Sequence, residues 1–443
     1  MGLDVAEDNV VEKTLEVLAE TPLCDRCLGR LFARLGYGWD NKLRGRALKI
    51  AALMEAHRRE REGVEGSQDL LRRVVLNVGP EVAGEMAKAV VGLEPREWPA
   101  CTICGGGLDA FIVRAAEEAE ALMKLYDIER FIVGVRVEDD TVDREEKIRV
   151  RHQLPYGESI KAEIRREVGK RLRDKGYKPD FDNPEATILV YYPSGRVDIQ
   201  VNNLYLKGRY WKLARYISQA YWPSPQGPRY YSVEQAAWGL LRLTGAESLV
   251  VHAAGREDVD ARMLGTGRPL VIELKAPRRR RIPVEELEKA ANSSARGLVE
   301  FRLEGEANRK IVRLYKSELA KSRKTYKALI VFHEPVQPDV LGEIETFFRD
   351  RTILQRTPKR VLHRRPDILR RRRVYNVKCA WLVEGAVAEC IVHAEGGLYV
   401  KELVSGDDGR TTPSFSDVAG VEAECVELDV IAVEIEPRQA TTT

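Results

Sequence analysis

The stretch Gly255-Arg256-Glu257-Asp258-Val259-Asp260-Ala261-Arg262 joins two apolar runs of the chain. The runs, Ser248 to Val251 before it and Pro269 to Leu274 after it, predict buried strands. A charged loop between two strands is a common location for catalytic side chains, because the strands hold the loop in place. A solvated turn is the alternative interpretation. Since acids and arginines converge within so few residues, we favour a functional loop.

The bulk composition describes a globular protein of more than one domain. The chain has 443 residues, 44% of them hydrophobic, which suits two or three domains with their own cores. No apolar run approaches the roughly 20 residues that span a bilayer. The first residues, Met1 to Asp8, are acidic and lack an apolar core, so they do not resemble a secretory signal. We therefore expect a cytoplasmic protein with no membrane contact, and nothing predicts an obligate protein partner.

Positive charge is concentrated in particular segments, although the net charge is only +3. One basic run is Lys275 to Arg281, and a second extends from Lys359 to Arg373. Arginine suits bidentate contact with phosphate, so the two runs favour an anionic partner such as RNA over merely solvated surfaces. The candidate substrate-binding residues are Arg256, Arg262, Arg278, Arg279, Arg280, Arg364 and Arg365.

Two Cys-x-x-Cys pairs, each followed closely by glycine, predict a metal site. Such a pair presents two thiolates from one tight turn, and two pairs make the tetrahedral Cys₄ set of structural zinc sites. A redox-active pair is the alternative. Four thiolates leave no open position for a substrate, so we expect structural zinc. The predicted ligands are Cys24, Cys27, Cys101 and Cys104, while Cys379, Cys390 and Cys425 occur singly in apolar segments and predict buried free thiols.

The order of the predicted elements indicates an α+β protein. Ser159 to Lys175 has an apolar stripe at helical spacing, and Ala186 to Val201 alternates around Pro193-Ser194-Gly195 as a hairpin does. The proline-rich segment 223–230 predicts a linker. We therefore expect an N-terminal domain at 1–222 and a second domain at 231–443.

Aromatic and basic residues interleave between Tyr205 and Tyr216. This mixture suits RNA, where rings stack on bases and cations hold phosphates. A core aromatic cluster with a solvated basic edge explains the same residues equally well, and the sequence does not decide between the two interpretations.

The acidic loop resembles a motif of known enzymes. Gly255-Arg256-Glu257-Asp258 matches the Gly-Arg-x-Asp motif of pseudouridine synthases, and the string from Asp260 to Pro269 is similar to one family in particular. That family is the archaeal and eukaryotic transfer-RNA pseudouridine synthases numbered ten in their series. The resemblance implies conversion of uridine to pseudouridine in the T-loop of transfer RNA, at positions 54 and 55, with no organic cofactor. Asp258 would be the catalytic residue.

Two further motifs of the C-terminal half resemble pseudouridine synthases. Lys324-Thr325-Tyr326 resembles a Lys-x-Tyr context whose ring stacks on the flipped uracil. Gly397 to Glu402 resembles a segment whose basic residue, here Lys401, pairs with the catalytic aspartate. The resemblance thus implies a catalytic set of Asp258, Tyr326 and Lys401, on a mixed or antiparallel sheet with flanking helices.

The N-terminal half resembles the zinc-bearing, THUMP-like RNA-binding domain of the same family. Phe181 to Pro184, the predicted hairpin and Leu206 to Tyr210 carry this likeness. Some members have another cysteine pair directly after the Trp-Pro of the linker. Ser224 follows Trp222-Pro223 here, so the resemblance implies a single zinc site.

Three other functions compete with this interpretation. Asp258 or Asp260, together with Glu273 and Lys275, imitates the Asp…Glu-x-Lys pattern of Mg²⁺-dependent nucleases. A noncatalytic RNA-binding zinc protein would use the basic runs alone. A THUMP-bearing methyltransferase needs a glycine-rich loop after a strand, and Gly265-Thr266-Gly267 is too short for it.

Overall fold

The computed structural model describes residues 9–223, 229–317 and 322–434. The chain divides into two compact units, Met1–Val201 and Asn202–Thr443. We call these the N-terminal unit and the C-terminal unit. No helix in the described ranges is both long enough and apolar enough to cross a membrane.

The N-terminal unit contains helices and one small sheet. Its helices are α1 (Val10–Glu20), α2 (Asp25–Leu31), α3 (Asn41–Arg61), α4 (Ser67–Val78), α5 (Pro80–Ala89), α6 (Leu108–Leu125), α7 (Asp139–Arg151) and α8 (Ile160–Asp174). Its strands are β1 (Arg130–Val137), β2 (Lys178–Pro179), β3 (Ala186–Tyr192) and β4 (Val197–Val201), in the sheet order β2-β1-β3-β4.

Helix α8 illustrates how the sequence determines this unit. The Ser159 hydroxyl accepts a hydrogen bond from the Ala162 amide and so begins the helix. Ile160, Ile164, Val168 and Leu172 are fully buried along one face, as their spacing predicts. Helix α8 packs on β1, which pairs in parallel with β3, while β3 and β4 form the predicted antiparallel hairpin.

The C-terminal unit contains one large sheet with helices around it. Its strands are β5 (Leu204–Lys212), β6 (Ile217–Ser218), β7 (Tyr231–Ser232), β8 (Ser248–Ala253), β9 (Arg262–Lys275), β10 (Val299–Ala307), β11 (Lys324–Phe332), β12 (Arg351–Gln355), β13 (Arg370–Val383), β14 (Val387–Ala394), β15 (Thr411–Thr412) and β16 (Ala423–Val433). Its helices are α9 (Val233–Ala236), α10 (Gly239–Thr244), α11 (Val284–Ala295), α12 (Arg309–Ser317), α13 (Val340–Phe347), α14 (Val400–Ser405) and α15 (Phe415–Ala419), with a 3₁₀ helix at Lys359–Arg364.

The large sheet is mixed, as the sequence implied. Its order is β10-β5-β9-β16-β11-β14-β13-β12-β15, and β8 also pairs with β9. Most neighbours are antiparallel, but the first residues of β9 run parallel to β16. Strand β9 bends after that contact. Gly265 lies in the bend at φ +53°, where a Cβ atom would approach the Ile431 carbonyl oxygen to 1.9 Å, so only glycine fits there.

The division between the units differs from the expected one. Strand β5 pairs with both β9 and β10, so residues 202–222 belong to the C-terminal unit rather than to a domain at 1–222. The likeness of Leu206 to Tyr210 to an RNA-binding module is corrected in the same way. Of the expected linker 223–230, residues 224–228 lie outside the described residues.

A helix and a cysteine pair of the C-terminal unit also differ from what the sequence predicted. The sequence predicts one helix from Val233 to Leu243, but the structure has two short helices there, α9 and α10. Cys379 and Cys390 were expected to be free thiols, but they form a disulfide. The reason is register: they are direct partners on β13 and β14, a relation that singly spaced cysteines do not reveal. Cys425 is a buried free thiol, as expected.

Candidate active site

The acidic loop connects β8 to β9, as the two apolar runs predicted. These strands pair antiparallel up to Ala253 and Leu270. Residues 254–261 form the loop between the end of β8 and the start of β9. Gly255 has φ +85°, a backbone conformation that is strained for any residue with a side chain. A Cβ atom on it would lie 2.9 Å from Lys324 Nζ and 3.1 Å from Arg268 Nη1. The glycine of the motif thus allows two cations to approach the loop backbone.

A buried carboxylate anchors the loop from beneath. Glu257 lies 2.8 Å from the Arg268 guanidinium and 3.7 Å from Lys212 Nζ, and the Tyr210 hydroxyl donates to it at 2.9 Å. The side chains of the Glu257–Arg268 pair are 1% exposed. Burial alone would raise the pKa of Glu257, but Arg268, Lys212 and Tyr210 lower it below the ordinary value. The residue next to Asp258 is therefore a charged internal anchor.

Buried donors also hold the loop backbone. Lys212 Nζ donates to the carbonyl oxygens of Ile217 at 3.0 Å, Asp258 at 2.9 Å and Val259 at 3.2 Å. Gln219 donates to the Gly255 carbonyl at 3.0 Å, and Arg268 to that of Ala254 at 2.8 Å. Lys212 and Tyr210 belong to the aromatic and basic stretch whose role the sequence left open. These two residues are core residues that support the loop.

The loop opens onto a cavity of about 620 Å³ within the C-terminal unit. Of the predicted catalytic residues, Asp258 and Tyr326 line it. More basic than acidic side chains face it: Arg256, Arg268, Lys324, Arg364, Arg365, Arg370 and Arg372, against Glu257 and Asp258. Such a surface favours an anionic ligand with its reacting part placed beside Asp258.

Asp258 is paired with an arginine that the sequence analysis did not select. Arg360 Nη2 lies 2.8 Å from Asp258 Oδ2, and its Nε lies 2.6 Å from Glu402 Oε1. Burial alone would lower the pKa of Arg360, but the Glu402 and Asp258 carboxylates outweigh burial, so the pKa of Arg360 is raised above its usual value. A permanently charged guanidinium therefore holds Asp258 in one orientation. The 29% exposed carboxylate remains open to the cavity.

Lys401 pairs with a different aspartate from the one expected. Its Nζ lies 2.5 Å from Asp260 Oδ2, and burial of Asp260, which would raise its pKa, is outweighed by this ammonium, so that the pKa is lowered. The expectation that Lys401 pairs with Asp258 is contradicted. The cause is the conformation of helix α14, which presents Lys401 to Asp260 and Glu402 to Arg360. The Gly397–Glu402 motif therefore does contact the loop, but Lys401 pairs with Asp260, two residues after the expected Asp258.

Tyr326 lies on the face of β11 that its alternation predicts. It is 8% exposed and lines the cavity. Burial, and to a lesser degree the Asp258 carboxylate, raise its pKa to about 12 against the opposing effect of Arg268. Its hydroxyl therefore keeps its proton at neutral pH and can donate a hydrogen bond beside a stacked ring.

The candidate substrate-binding arginines separate into two groups. Arg256, Arg364 and Arg365 line the cavity, and Arg365 donates to the Tyr399 hydroxyl at 2.9 Å. Arg262 instead pairs with Asp429 at 2.6 Å and ties β9 to β16. Arg278 and Arg279 are exposed and Arg280 donates to the Asn202 carbonyl, and none of these three lines the cavity.

The nuclease arrangement does not form. Glu273 accepts hydrogen bonds from Asn203 and Tyr205 and lies 2.7 Å from His252 Nε2, and it does not line the cavity. Among the described residues, the cysteine cluster is the group whose ligand atoms converge as a metal requires, and no carboxylate cluster does so. A two-carboxylate Mg²⁺ centre therefore has no support in the C-terminal unit.

The four predicted zinc ligands converge in the N-terminal unit. The Sγ atoms of Cys24, Cys27, Cys101 and Cys104 all lie within 4.8 Å of one another. The Cys27 amide donates to Cys24 Sγ at 3.4 Å, and the buried Arg30 guanidinium donates to Cys27 Sγ at 3.4 Å. Four clustered thiols with donors directed at the sulfurs fit a metal such as zinc.

Three residues of the site were missed from the sequence. Arg360 was counted only as part of a basic run, and Arg268 only as part of the loop string. Lys324 was read only as context for Tyr326. The alternation of β11 could have identified Lys324, because it places Lys324 on the same face of the strand as Tyr326.

The chain is similar to known protein families and to named proteins. Residues 205–434 match the family described as Pus10, C-terminal, and residues 115–190 match the Pus10 THUMP domain, archaeal. A tRNA pseudouridine synthase Pus10 from Aeropyrum pernix is 56% identical over 431 residues, covering 97% of this chain and 98% of the relative. One from Ignisphaera aggregans is 40% identical and covers 96% and 99%. The solved Cbf5-Nop10-Gar1 complex contains a chain with 18% identity and a TM-score of 0.30, covering 52% of this chain and 48% of that one.

Proposed function

The chain belongs to the Pus10 family of tRNA pseudouridine synthases, and from this premise we propose that it converts uridine to pseudouridine in the T-loop of transfer RNA, at positions 54 and 55. The observation that carries the proposal is the placement of Asp258. A charged carboxylate lies at the edge of a mainly basic cavity, fixed by Arg360 at 2.8 Å. The proposal needs no organic cofactor.

Asp258 acts on the ribose side of the scissile glycosidic bond. The target uridine leaves its stack and enters the cavity. The bond between N1 and C1′ then breaks, uracil rotates, and C5 bonds to C1′. Because the loop backbone is held by Lys212, Arg268 and Gln219, Asp258 requires little reorganisation to reach the ribose. Such preorganisation is a main source of catalytic rate.

Tyr326 acts on the base. Its ring stacks on the extruded uracil, and its protonated hydroxyl donates a hydrogen bond near the reacting carbon. Lys401 has a positioning role rather than a catalytic one, since it holds Asp260 and thereby the end of the loop. Arg364 and Arg365, on the cavity wall, contact phosphates around the target nucleotide.

The N-terminal unit binds RNA and carries structural zinc. Zinc held by Cys24, Cys27, Cys101 and Cys104 would tie helix α2 to the turn that precedes α6. Zinc supplies folding energy here and no chemical step, because four thiolates leave no open coordination position. A protein that modifies transfer RNA would work in the cytoplasm.

Product mapping on unmodified transfer RNA tests the proposal. We expect new pseudouridine at positions 54 and 55 after incubation with the purified protein alone, and unchanged initial rates when EDTA is added without Mg²⁺. Strand cleavage that requires Mg²⁺ would support a nuclease instead. Binding without any product would support a noncatalytic RNA-binding protein.

A further inference from the structure

Lys324 is a buried cation that faces the cavity without a partner. It is the first residue of β11 and is 5% exposed, yet it lines the cavity. Within residues 9–223, 229–317 and 322–434, no group accepts a hydrogen bond or forms an ion pair with its ammonium. Because Lys324 lines the cavity, its ammonium can donate a hydrogen bond to an acceptor on a ligand that enters there.

The surroundings of Lys324 leave its charge only partly compensated. The Arg268 guanidinium of β9 and Lys324 Nζ approach Gly255 from the same side. The Glu257 carboxylate next to Arg268 also pairs with Lys212 and accepts a hydrogen bond from Tyr210. Burial, and after it Arg268, lower the pKa of Lys324 to about 7, against the opposing effect of Glu257. An oxygen with negative charge that docked against Nζ would stabilise the ammonium form.

The position of Lys324 relative to the proposed chemistry identifies that oxygen. Lys324 and Tyr326 point to the same face of β11 and line the same cavity, so a base stacked on Tyr326 presents its edge toward Lys324. Nζ also lies against Gly255, three residues before Asp258. A group between the uracil edge and the catalytic loop can meet the reacting base directly.

We propose that Lys324 is a further catalytic residue, whose ammonium donates a hydrogen bond to a carbonyl oxygen of the target uracil and stabilises the negative charge that develops there. This inference rests on the proposed pseudouridine synthase function. When N1 separates from C1′, the bonding electron pair stays on the base and spreads over N1 and the carbonyl oxygens. C5 then bonds to C1′, the hydrogen on C5 leaves as a proton, and N1 gains a proton. Lys324 keeps its own proton throughout.

This role differs from phosphate binding in what it affects. A fixed cation against the developing charge lowers the energy of the transition state more than that of the bound substrate. Its loss should therefore reduce the rate of the chemical step and leave transfer-RNA binding intact. A phosphate contact would show the reverse pattern.

Single-turnover kinetics of Lys324 variants test the inference. With Lys324→Met we expect a rate decrease on the order of 10²-fold, the usual effect of losing one charge-stabilising donor, with an unchanged Kd for transfer RNA. Lys324→Arg should keep part of the activity. The matched control is Lys327→Met on the opposite face of β11, where Lys327 is 42% exposed and paired with Glu389. That variant should react at the wild-type rate.

The pH profile supplies a readout that a merely structural role would not move. Wild-type kcat/KM should fall as pH rises through about 7, where Lys324 loses its proton. The other charged groups that line the cavity are Arg256, Arg268, Arg364, Arg365, Arg370, Arg372, Glu257 and Asp258. Arg268 keeps its charge, and the pKa of Glu257, which burial would raise, is lowered by Arg268, Lys212 and Tyr210. Lys324→Arg should shift the alkaline limb upward, because the guanidinium does not titrate in this range.

The outcomes separate the inference from the proposed function. If wild-type protein forms no pseudouridine, the proposed function fails. If wild type is active and Lys324→Met reacts equally fast, or loses only affinity for RNA, the assignment of Lys324 is overturned. Thermal melting of each variant identifies misfolding. If Lys324→Met does not fold, an alkaline limb that is the same in wild type and Lys324→Arg overturns the assignment.

Discussion

Asp258 illustrates how one carboxylate in the acidic loop is distinguished from its neighbours. Glu257 is buried against Arg268, and Asp260 is paired with Lys401. Glu257 and Asp258 both line the cavity, but the Glu257 side chain is 1% exposed, whereas that of Asp258 is 29% exposed and is held by a guanidinium that also binds Glu402. Three acids in four residues therefore have three different sets of contacts, and Asp258 is the one that we propose as the reactive group.

Asp258→Asn tests the reactive role. The substitution keeps size and hydrogen bonding but removes the charge and the nucleophile. We expect pseudouridine formation to fall by roughly 10³-fold or more, with transfer RNA bound as tightly as by wild type. Product mapping and a binding titration measure the two effects. Asp260→Asn is the matched control and should lose far less rate, and persistent activity in Asp258→Asn would show that another residue is catalytic.

Tyr326 separates stacking from hydrogen bonding. Tyr326→Phe keeps the ring, so affinity for transfer RNA should change little, while the rate should fall by roughly tenfold to a hundredfold because the hydrogen bond that the hydroxyl donates near the reacting carbon is lost. Tyr326→Ala should lose both affinity and rate, because stacking contributes about 1–3 kcal/mol per base. Measured kcat and KM distinguish the variants. Wild-type rates in both would remove Tyr326 from the site.

At the scale of the element, the loop depends on strands β5 and β9 beneath it. Tyr210 and Arg268 are direct partners across these strands, and both reach Glu257. Lys212, two residues further along β5, donates to the Asp258 carbonyl at 2.9 Å. The loop around Asp258 is thus held by a buried network of charged side chains, which strands β5 and β9 position.

Glu257→Gln tests the network. Removing the charge leaves Arg268 buried without a counter-ion, and breaking such a pair lowers the free energy of unfolding by about 3–5 kcal/mol. The pKa of Glu257 is lowered in the fold, so its stabilisation is present above its unfolded pKa and is lost as pH falls through the lower folded value. Urea unfolding at neutral and acidic pH should therefore show a difference from wild type that shrinks in acid. Glu304→Gln, at a 47% exposed position, is the control and should change stability little.

The sequence predicted elements better than it predicted partners. Helix α8 and the strands around the acidic loop were predicted because apolar periodicity and glycine placement are local signals. The cysteine cluster was predicted because its ligands come in adjacent pairs. The Lys401–Asp260 pair and the placement of β5 were mispredicted, since each depends on contacts between residues far apart in sequence. Arg360 was missed for the same reason: within an arginine run, nothing local identifies the side chain that reaches Asp258.

At the scale of the whole molecule, the metal site is a feature of the N-terminal unit. We expect about one zinc per chain in elemental analysis, because one Cys₄ set binds one ion. Cys101→Ser should remove the zinc and destabilise the protein in thermal melting. Cys425→Ala, which changes a buried free thiol outside the cluster, should retain it. Metal-free protein with normal stability would contradict the assignment of the four cysteines.

The distribution of positive charge over the C-terminal unit leads to a last prediction. The two basic runs looked equivalent in sequence, but Arg364 and Arg365 line the cavity, whereas Arg278 and Arg279 lie on exposed surface outside it. Each phosphate contact that is lost should flatten the slope of log affinity against log salt by roughly one. We expect Arg364→Gln and Arg365→Gln to do so, and to reduce kcat/KM. Arg278→Gln tests the other run at matched charge. An equal loss of slope in Arg278→Gln would show that transfer RNA extends over both basic runs, and an unchanged slope in every variant would show that these arginines face only solvent.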